Sequence, residues 1–237
     1  MIGVIVNTVA VIIGSLIGLV FKKGIPEKMS DALTSILGLA VFFVGISSAF
    51  DGENILITII SLAIGTVLGT LANIDRGINK LGDWVENRFS KEKGKISIAQ
   101  GFVTASLLFC VGSMTIVGSL QAGINGNNEM LFTKSLLDFV MAIVLTSTLG
   151  IGVILSSLFV LVFQGAIALS AGFAAGFLSN FVIAEMTCTG SILVMAIGLN
   201  LAGITKIKVA DCMPAVFAPI LICPVYNLIM ELVSSII

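Results

Sequence analysis

The stretch at 101–123 reads GFVTASLLFCVGSMTIVGSLQAG. It carries no charge and is long enough to cross a bilayer, since a spanning helix needs about 20 mostly apolar residues. At its centre stands Cys-x-Gly-Ser (110–113), and the same small-residue break returns at 188–204 in CTGSILVMAIGLNLAGI. Both copies run on to Ala-Gly-Ile, the second with two more residues than the CVGSMTIVGSLQAGI of 110–124. Gly lets a helix unwind, and Ser offers a local hydrogen-bond partner. Backbone groups freed in this way must face protein or a water-filled cavity, because lipid cannot satisfy them. The competing explanation is close packing, in which Gly and Ser only let two transmembrane helices approach.

The rest of the chain has the same character. Of its 237 residues, 57% are hydrophobic and 11% charged, with a mean hydropathy of +1.16. A soluble domain carries about 25% charged residues. Too little polar surface is present to coat a soluble globule, so the bilayer is the expected solvent. The net charge of −1 and the lack of a strong basic patch argue against nucleic acid as a partner. Histidine is absent, which removes the usual proton relay near neutral pH and the commonest metal ligand. Cys110, Cys188, Cys212 and Cys223 lie in apolar segments without a zinc spacing and read as buried small hydrophobes. The Met and Cys residues near the breaks show no paired spacing for a copper path. No cofactor or metal is expected, and no nucleophile–base pair or nucleotide loop argues for an enzyme.

Eight spans are predicted, at 2–21, 32–50, 54–73, 98–121, 131–149, 151–177, 182–203 and 212–235. The sixth ends in SAGFAAGFL and reads as one span or as a span plus a re-entrant piece. The eighth contains Pro214, Pro219 and Pro224 and should be kinked or discontinuous. Eleven of the twelve Lys and Arg fall in three connections that share one side: Lys22, Lys23 and Lys28; Arg76, Lys80, Arg88, Lys91, Lys93 and Lys95; Lys206 and Lys208. The positive-inside rule makes that side cytoplasmic and puts both termini outside. The connection at 74–97 sets Ile74, Ile78, Leu81, Trp84, Val85 and Phe89 at helical spacing among charges. It is expected to be an interfacial helix on the cytoplasmic leaflet, a solvated linker helix being the alternative.

The whole is therefore an all-α integral membrane protein in one transmembrane domain, 1–237. GVIVNTVAVIIG from Gly3 resembles GVILSSLFVLVFQG from Gly152. The triplets 1–73 and 151–237 then read as inverted repeats, with the pair 98–149 inserted between them. Inverted repeats that meet through broken helices are a common design of secondary transporters.

The candidate substrate-binding residues follow from the breaks and the buried polar groups. They are Gly112, Ser113, Thr115 and Gln121 on the fourth span, Lys134 and Asp138 on the fifth, and Gly190, Ser191 and Asn200 on the seventh. Lys134 and Asp138 stand four apart on one helical face. Asp138 is about 10 Å inside its span by helical rise, a depth at which an ionisable group faces a cavity or a partner. Lys134 reads as a partner or as a side chain snorkelling outward. Asn7 reads as a helix–helix hydrogen bond, and Glu185 and Glu231 as solvated residues near outer ends.

GFVTASLLFCVGSMTIVGSLQAG, then KSLLDF and TSTLGIGV, resemble the bacterial inner-membrane family of unknown function typified by YqgA and YdfK. GVIVNTVAVIIGSLIGLVFKKGIP, AEMTCTGSILVMAIGLNL and IKVADCMPA fit the same family. The resemblance covers essentially the whole chain. It implies a polytopic protein of the bacterial inner membrane and supplies no substrate, cofactor or site. From the residues, the expected function is a secondary small-solute transporter, leaning to an anionic or zwitterionic solute, with the lipid bilayer and a homo-oligomer as partners. A passive channel and a non-transporting membrane assembly protein are the alternatives.

Overall fold

The hydropathy pattern is converted directly into helices whose ends are set by local polar groups. The computed structural model describes residues 1–22, 26–89, 97–174 and 176–236. The helices are α1 (Ile2–Lys22), α2 (Glu27–Ala49), α3 (Ile55–Ala72), α4 (Ile74–Phe89), α5 (Ile98–Cys110) and α6 (Ser113–Ile124). They continue with α7 (Glu129–Leu149), α8 (Gly152–Leu169), the short α9 (Ala171–Ala174), α10 (Asn180–Leu201), α11 (Val209–Cys212), a 3₁₀ turn (Met213–Phe217) and α12 (Pro219–Ile236). Asn54 and Ser97 cap α3 and α5, their side-chain oxygens accepting from the N–H groups of Leu56 and Gln100. Asn73 ends α3 in the left-handed conformation, φ 53°, and lets α4 leave at once in a new direction.

Among the described residues, six helices are long and apolar enough to cross a bilayer, and two bent pairs bring the number to as many as eight. The bent pairs are α5–α6, at 61°, and the α11–3₁₀ segment with α12, at 47°. Pro214 lies in the 3₁₀ turn, Pro219 opens α12 and Pro224 lies inside it, so the eighth span is discontinuous, as its prolines predict. The sixth span stops at Leu169, and α9 follows as a separate piece with Ala171 buried.

The distribution of side chains is that of a protein dissolved in lipid. Large apolar residues such as Val20, Phe43, Leu71, Leu136, Leu158 and Leu221 are exposed. Asn7, Ser15, Ser61, Ser106, Gln164, Glu185 and Thr189 are fully buried. Apolar groups gain nothing from leaving a hydrocarbon solvent, whereas polar groups do.

Packing sorts the helices into two groups. One contains α1, α7, α8 and the bent α5–α6 pair; the other contains α2, α10, α3 and the α11–α12 pair. The closest approaches are made over glycines. A Cβ at Gly14 or Gly18 of α1 would overlap the carbonyls of Phe139 or Ile143 on α7, so these two helices run parallel. Gly38 faces Gly198 and Gly45 faces Met195, so α2 and α10 run antiparallel. Gly69 faces Asp211 and Gly65 faces Ala215, which makes α3 antiparallel to the start of the last span. All of these directions fit eight alternating crossings with each bent pair counted once. In that order Met1 marks a near side, and α4 lies on the opposite, far side.

Helix α4 is anchored on the far side through Asp211, whose buried carboxylate accepts from the N–H of Asp75 at 2.8 Å. Trp84 is 62% exposed. The end of the predicted 74–97 helix, with Lys91, Lys93 and Lys95, lies outside the described residues, as does Lys23.

Candidate functional site

The fourth span breaks where the sequence predicts. Helix α5 ends on Val111 in extended conformation, and α6 starts from Gly112 at φ 132°, ψ 143°. That φ lies where an L side chain is strained, so the position requires Gly. The break frees carbonyls of the last α5 turn, and the Thr115 hydroxyl donates to one of them, that of Phe109, at 3.0 Å. The Ser113 side chain lies outside what is described.

The seventh span does not break. Helix α10 runs without interruption from Asn180 to Leu201, through Gly190 and Ser191. The expectation of two broken spans facing each other is therefore corrected to one. A physical reason lies in the two copies of the motif. In CVGSMT the sixth residue is Thr115, which satisfies the carbonyl freed by the bend; in CTGSIL it is Leu193, which has no hydroxyl. Gly190 instead acts through its lack of a side chain, because a Cβ there would collide with the Val111 side chain. The two motifs do meet: the vertex of the bent span is seated against the glycine of the straight one.

Lys134 and Asp138 are both brought inside. The ammonium donates to Asp138 Oδ1 at 2.8 Å, with the side chains 8% and 5% exposed. Asn7 on α1 donates to Asp138 Oδ2 at 3.0 Å. Lys134 thus does not snorkel to solvent; it is the counter-ion of a carboxylate that also ties α1 to α7. Helix α7, which carries the pair, packs against both arms of the bent span, α5 and α6, which sets the pair on a helix beside the break.

The remaining predicted residues lie elsewhere. Gln121 is half-buried on the last turn of α6. Asn200 fastens the connection after α10, donating to Ile207 O at 2.8 Å and accepting from Ile207 N and the Thr205 hydroxyl at 2.9 and 2.7 Å. It also lines a far-side cavity of about 370 Å³, with Asp75, Asn79, Gln100, Thr104 and Lys208. The buried Ser191 hydroxyl has no hydrogen-bond partner among the described residues.

Glu185 is the clearest correction. Read from sequence as a solvated residue, it is fully buried. Its Oε1 accepts from the N–H groups of Glu53 and Asn54 at 2.8 and 2.6 Å, and Oε2 accepts from the Thr58 hydroxyl at 3.2 Å. A carboxylate on α10 thereby caps α3 and holds the α2–α3 connection. Gln164 of α8, not among the residues singled out from sequence, is fully buried with neither amide atom bonded among the described residues. A lone carboxamide inside LVFQG was the available signal, since polar groups within a span are expensive.

Apolar side chains facing outward, polar ones inward and as many as eight crossings define a multi-pass, all-helical integral membrane protein. The chain belongs to the family described as "Protein of unknown function (DUF554)", whose model matches residues 2–224. It is 38% identical over 223 residues to the uncharacterized membrane protein YdfK of Bacillus subtilis (strain 168), covering 92% of this chain and 94% of the relative. It is 29% identical over 217 residues to the uncharacterized protein YqgA of Escherichia coli (strain K12), covering 90% of this chain and 92% of that one. No solved structure matches.

Proposed function

We propose that the protein is a secondary transporter of a small anionic or zwitterionic solute in the bacterial inner membrane, with both termini outside the cytoplasm. The observation that carries this reading is the break at Val111–Gly112 beside the buried Lys134–Asp138–Asn7 cluster. The two arms of the bent span pack along α8, while its vertex meets the other helix group at Gly190 of α10, so a change of angle at the break would move one group against the other. Buried charge at the same place gives a polar solute a foothold in a low-dielectric interior. The far-side cavity at Asn200 and Lys208 supplies a vestibule on the side where Lys and Arg collect.

The test is flux in proteoliposomes over small anions and zwitterions, with and without a proton gradient. Asp138→Asn should preserve membrane insertion and abolish uptake of whichever solute moves. Wild-type flux in that variant would remove Asp138 from the mechanism. A passive pore would conduct without a gradient dependence. The assembly-protein reading draws on exposed Trp84 of α4 and is favoured if no solute moves.

A further inference from the structure

Val4 of α1, Ala122 of α6, Leu131 of α7 and Ala168 of α8 form one buried apolar cluster, with relative exposures of 0–5%. Four helices therefore converge at one point near the near side. In a helix, residues three or four apart share a face. One turn deeper into the molecule is +3 or +4 on α1 and α7, and −3 or −4 on α6 and α8, which run the other way. Those steps arrive at Asn7, Lys134, Ser119 and Gln164. Each is a polar side chain, and each is nine-tenths or more buried. A further turn along α7 reaches Asp138, already joined to both Lys134 and Asn7. Two turns below the cluster on α1 and α8 are Val11 and Val160, part of the main apolar core.

A polar layer is thus closed above by one apolar layer and below, on the α1 and α8 sides, by Val11 and Val160, and its hydrogen bonding is incomplete. The Gln164 amide has no partner at either atom, and Asn7 Oδ1 and the Ser119 hydroxyl have none, among the described residues. The Lys134 ammonium carries three protons and, among the described residues, makes one hydrogen bond, to Asp138. Leaving a buried amide unsatisfied is costly, and an apolar residue of similar size would avoid that cost. The unused groups include both acceptors (Asn7 Oδ1, Gln164 Oε1) and donors (Gln164 Nε2, the Ser119 hydroxyl, Lys134).

We propose that α1, α6, α7 and α8 enclose an occluded chamber for a small polar solute of zero net charge, lined by Asn7, Ser119, Lys134, Asp138 and Gln164. Zero net charge follows from the Lys134–Asp138 pair, which already balances the chamber; an added ion would be buried uncompensated. Both a zwitterion and a neutral amide offer donors and acceptors together. This inference deepens the transporter reading and rests on it for its purpose. It narrows the solute class by excluding anions, and it moves the site from the α5/α10 contact to the α1 side of the bent span.

The experiment introduces Gln164→Cys, Ser119→Cys and, as a lipid-facing control, Leu158→Cys into a chain whose four native cysteines are alanine. Membranes are treated with 2-hydroxyethyl methanethiosulfonate, a polar reagent of zero charge. Cysteines at 164 and 119, though buried, should react roughly tenfold faster than one at 158; equal rates at all three would overturn the chamber. Glycine and urea should slow labelling at 164, whereas acetate and methylammonium should not. Slowing by acetate or methylammonium to the same degree, or no slowing by glycine or urea, would overturn the zero-charge class. If the cysteine-free chain does not fold, the native chain and Gln164→Leu are compared by thermal unfolding. Glycine or urea should raise the midpoint of the first and not of the second, and equal behaviour of the two counts against the proposal. Labelling with protection but no flux would leave the chamber standing and sink the transporter reading. Flux without labelling at 164 and 119 would do the reverse.

Discussion

The Asn7–Asp138 bond and the Lys134–Asp138 bond differ in a way that a double-mutant cycle resolves. By length the ion pair is the shorter, 2.8 Å against 3.0 Å, and in a soluble core it would dominate. Here the unfolded reference is a set of separated helices still in detergent or lipid. Lys134 and Asp138 lie on one helix, so their pair persists when α7 comes away from its neighbours. Asn7 is on α1, and its bond to Asp138 is lost on separation. Hydrogen bonds between transmembrane helices average about 0.6 kcal/mol and reach about 1.7; acceptance by a carboxylate favours the upper part of that range. The cycle Asn7→Ala with Asp138→Ala should therefore give a coupling of about 1–1.7 kcal/mol, roughly a tenfold change in the folding constant. The cycle Lys134→Ala with Asp138→Ala should give less than half of that. The assay is loss of helix–helix contact in bicelles titrated with dodecyl sulfate, read by fluorescence at Trp84 or by a label. A larger coupling for Lys134–Asp138 than for Asn7–Asp138 would refute the reasoning.

Gly14→Leu should separate α1 from α7, because its side chain would run into the Phe139 carbonyl; overpacking of this kind costs about 1–3 kcal/mol, measured in the same titration. Gly112→Ala places a side chain at φ 132° and should cost about 1–3 kcal/mol, while Gly172→Ala, which meets open space, should leave the unfolding midpoint within about 0.5 kcal/mol of wild type. Glu185→Leu removes the acceptor of the Glu53 and Asn54 N–H groups; it should destabilise by about 1–3 kcal/mol and speed thiol labelling at a cysteine placed at 51. Impermeant reagents should label a cysteine at 51 from outside intact cells and one at 80 only after lysis, and the opposite pattern would invert the orientation drawn from Lys and Arg.

The segments were legible because a bilayer fixes span length and lipid fixes which residues lie outside. Each predicted span overlaps a helix or a bent pair, and the break at Gly112 and the prolines of the last span were readable from local chemistry. The site was legible only where two polar residues stand at helical spacing, as Lys134 and Asp138 do. Gly190 misled because the same Gly-Ser pair serves for unwinding and for close approach, and the choice rests on a hydroxyl three residues after Gly112 that its counterpart lacks. Glu185 and Gln164 could not be placed because their burial comes from helices distant in sequence: the partners of Glu185 are 127–132 residues away.

That separation also governs how the protein is made. Asn7 and its partner Asp138 stand 131 residues apart, and α1 packs mainly with α7, not with the α2 that follows it. At a synthesis rate of about 5–20 residues per second, α1 is in the membrane for about 7–26 seconds before α7 has been made. During that interval its glycines and Asn7 have no native partner, and α2 emerges beside it first, itself destined for α10. Assembly of this protein therefore depends on α1 staying unpaired until the second half of the chain arrives, and a premature α1–α2 contact through their glycine faces is the misassembly its topology most invites.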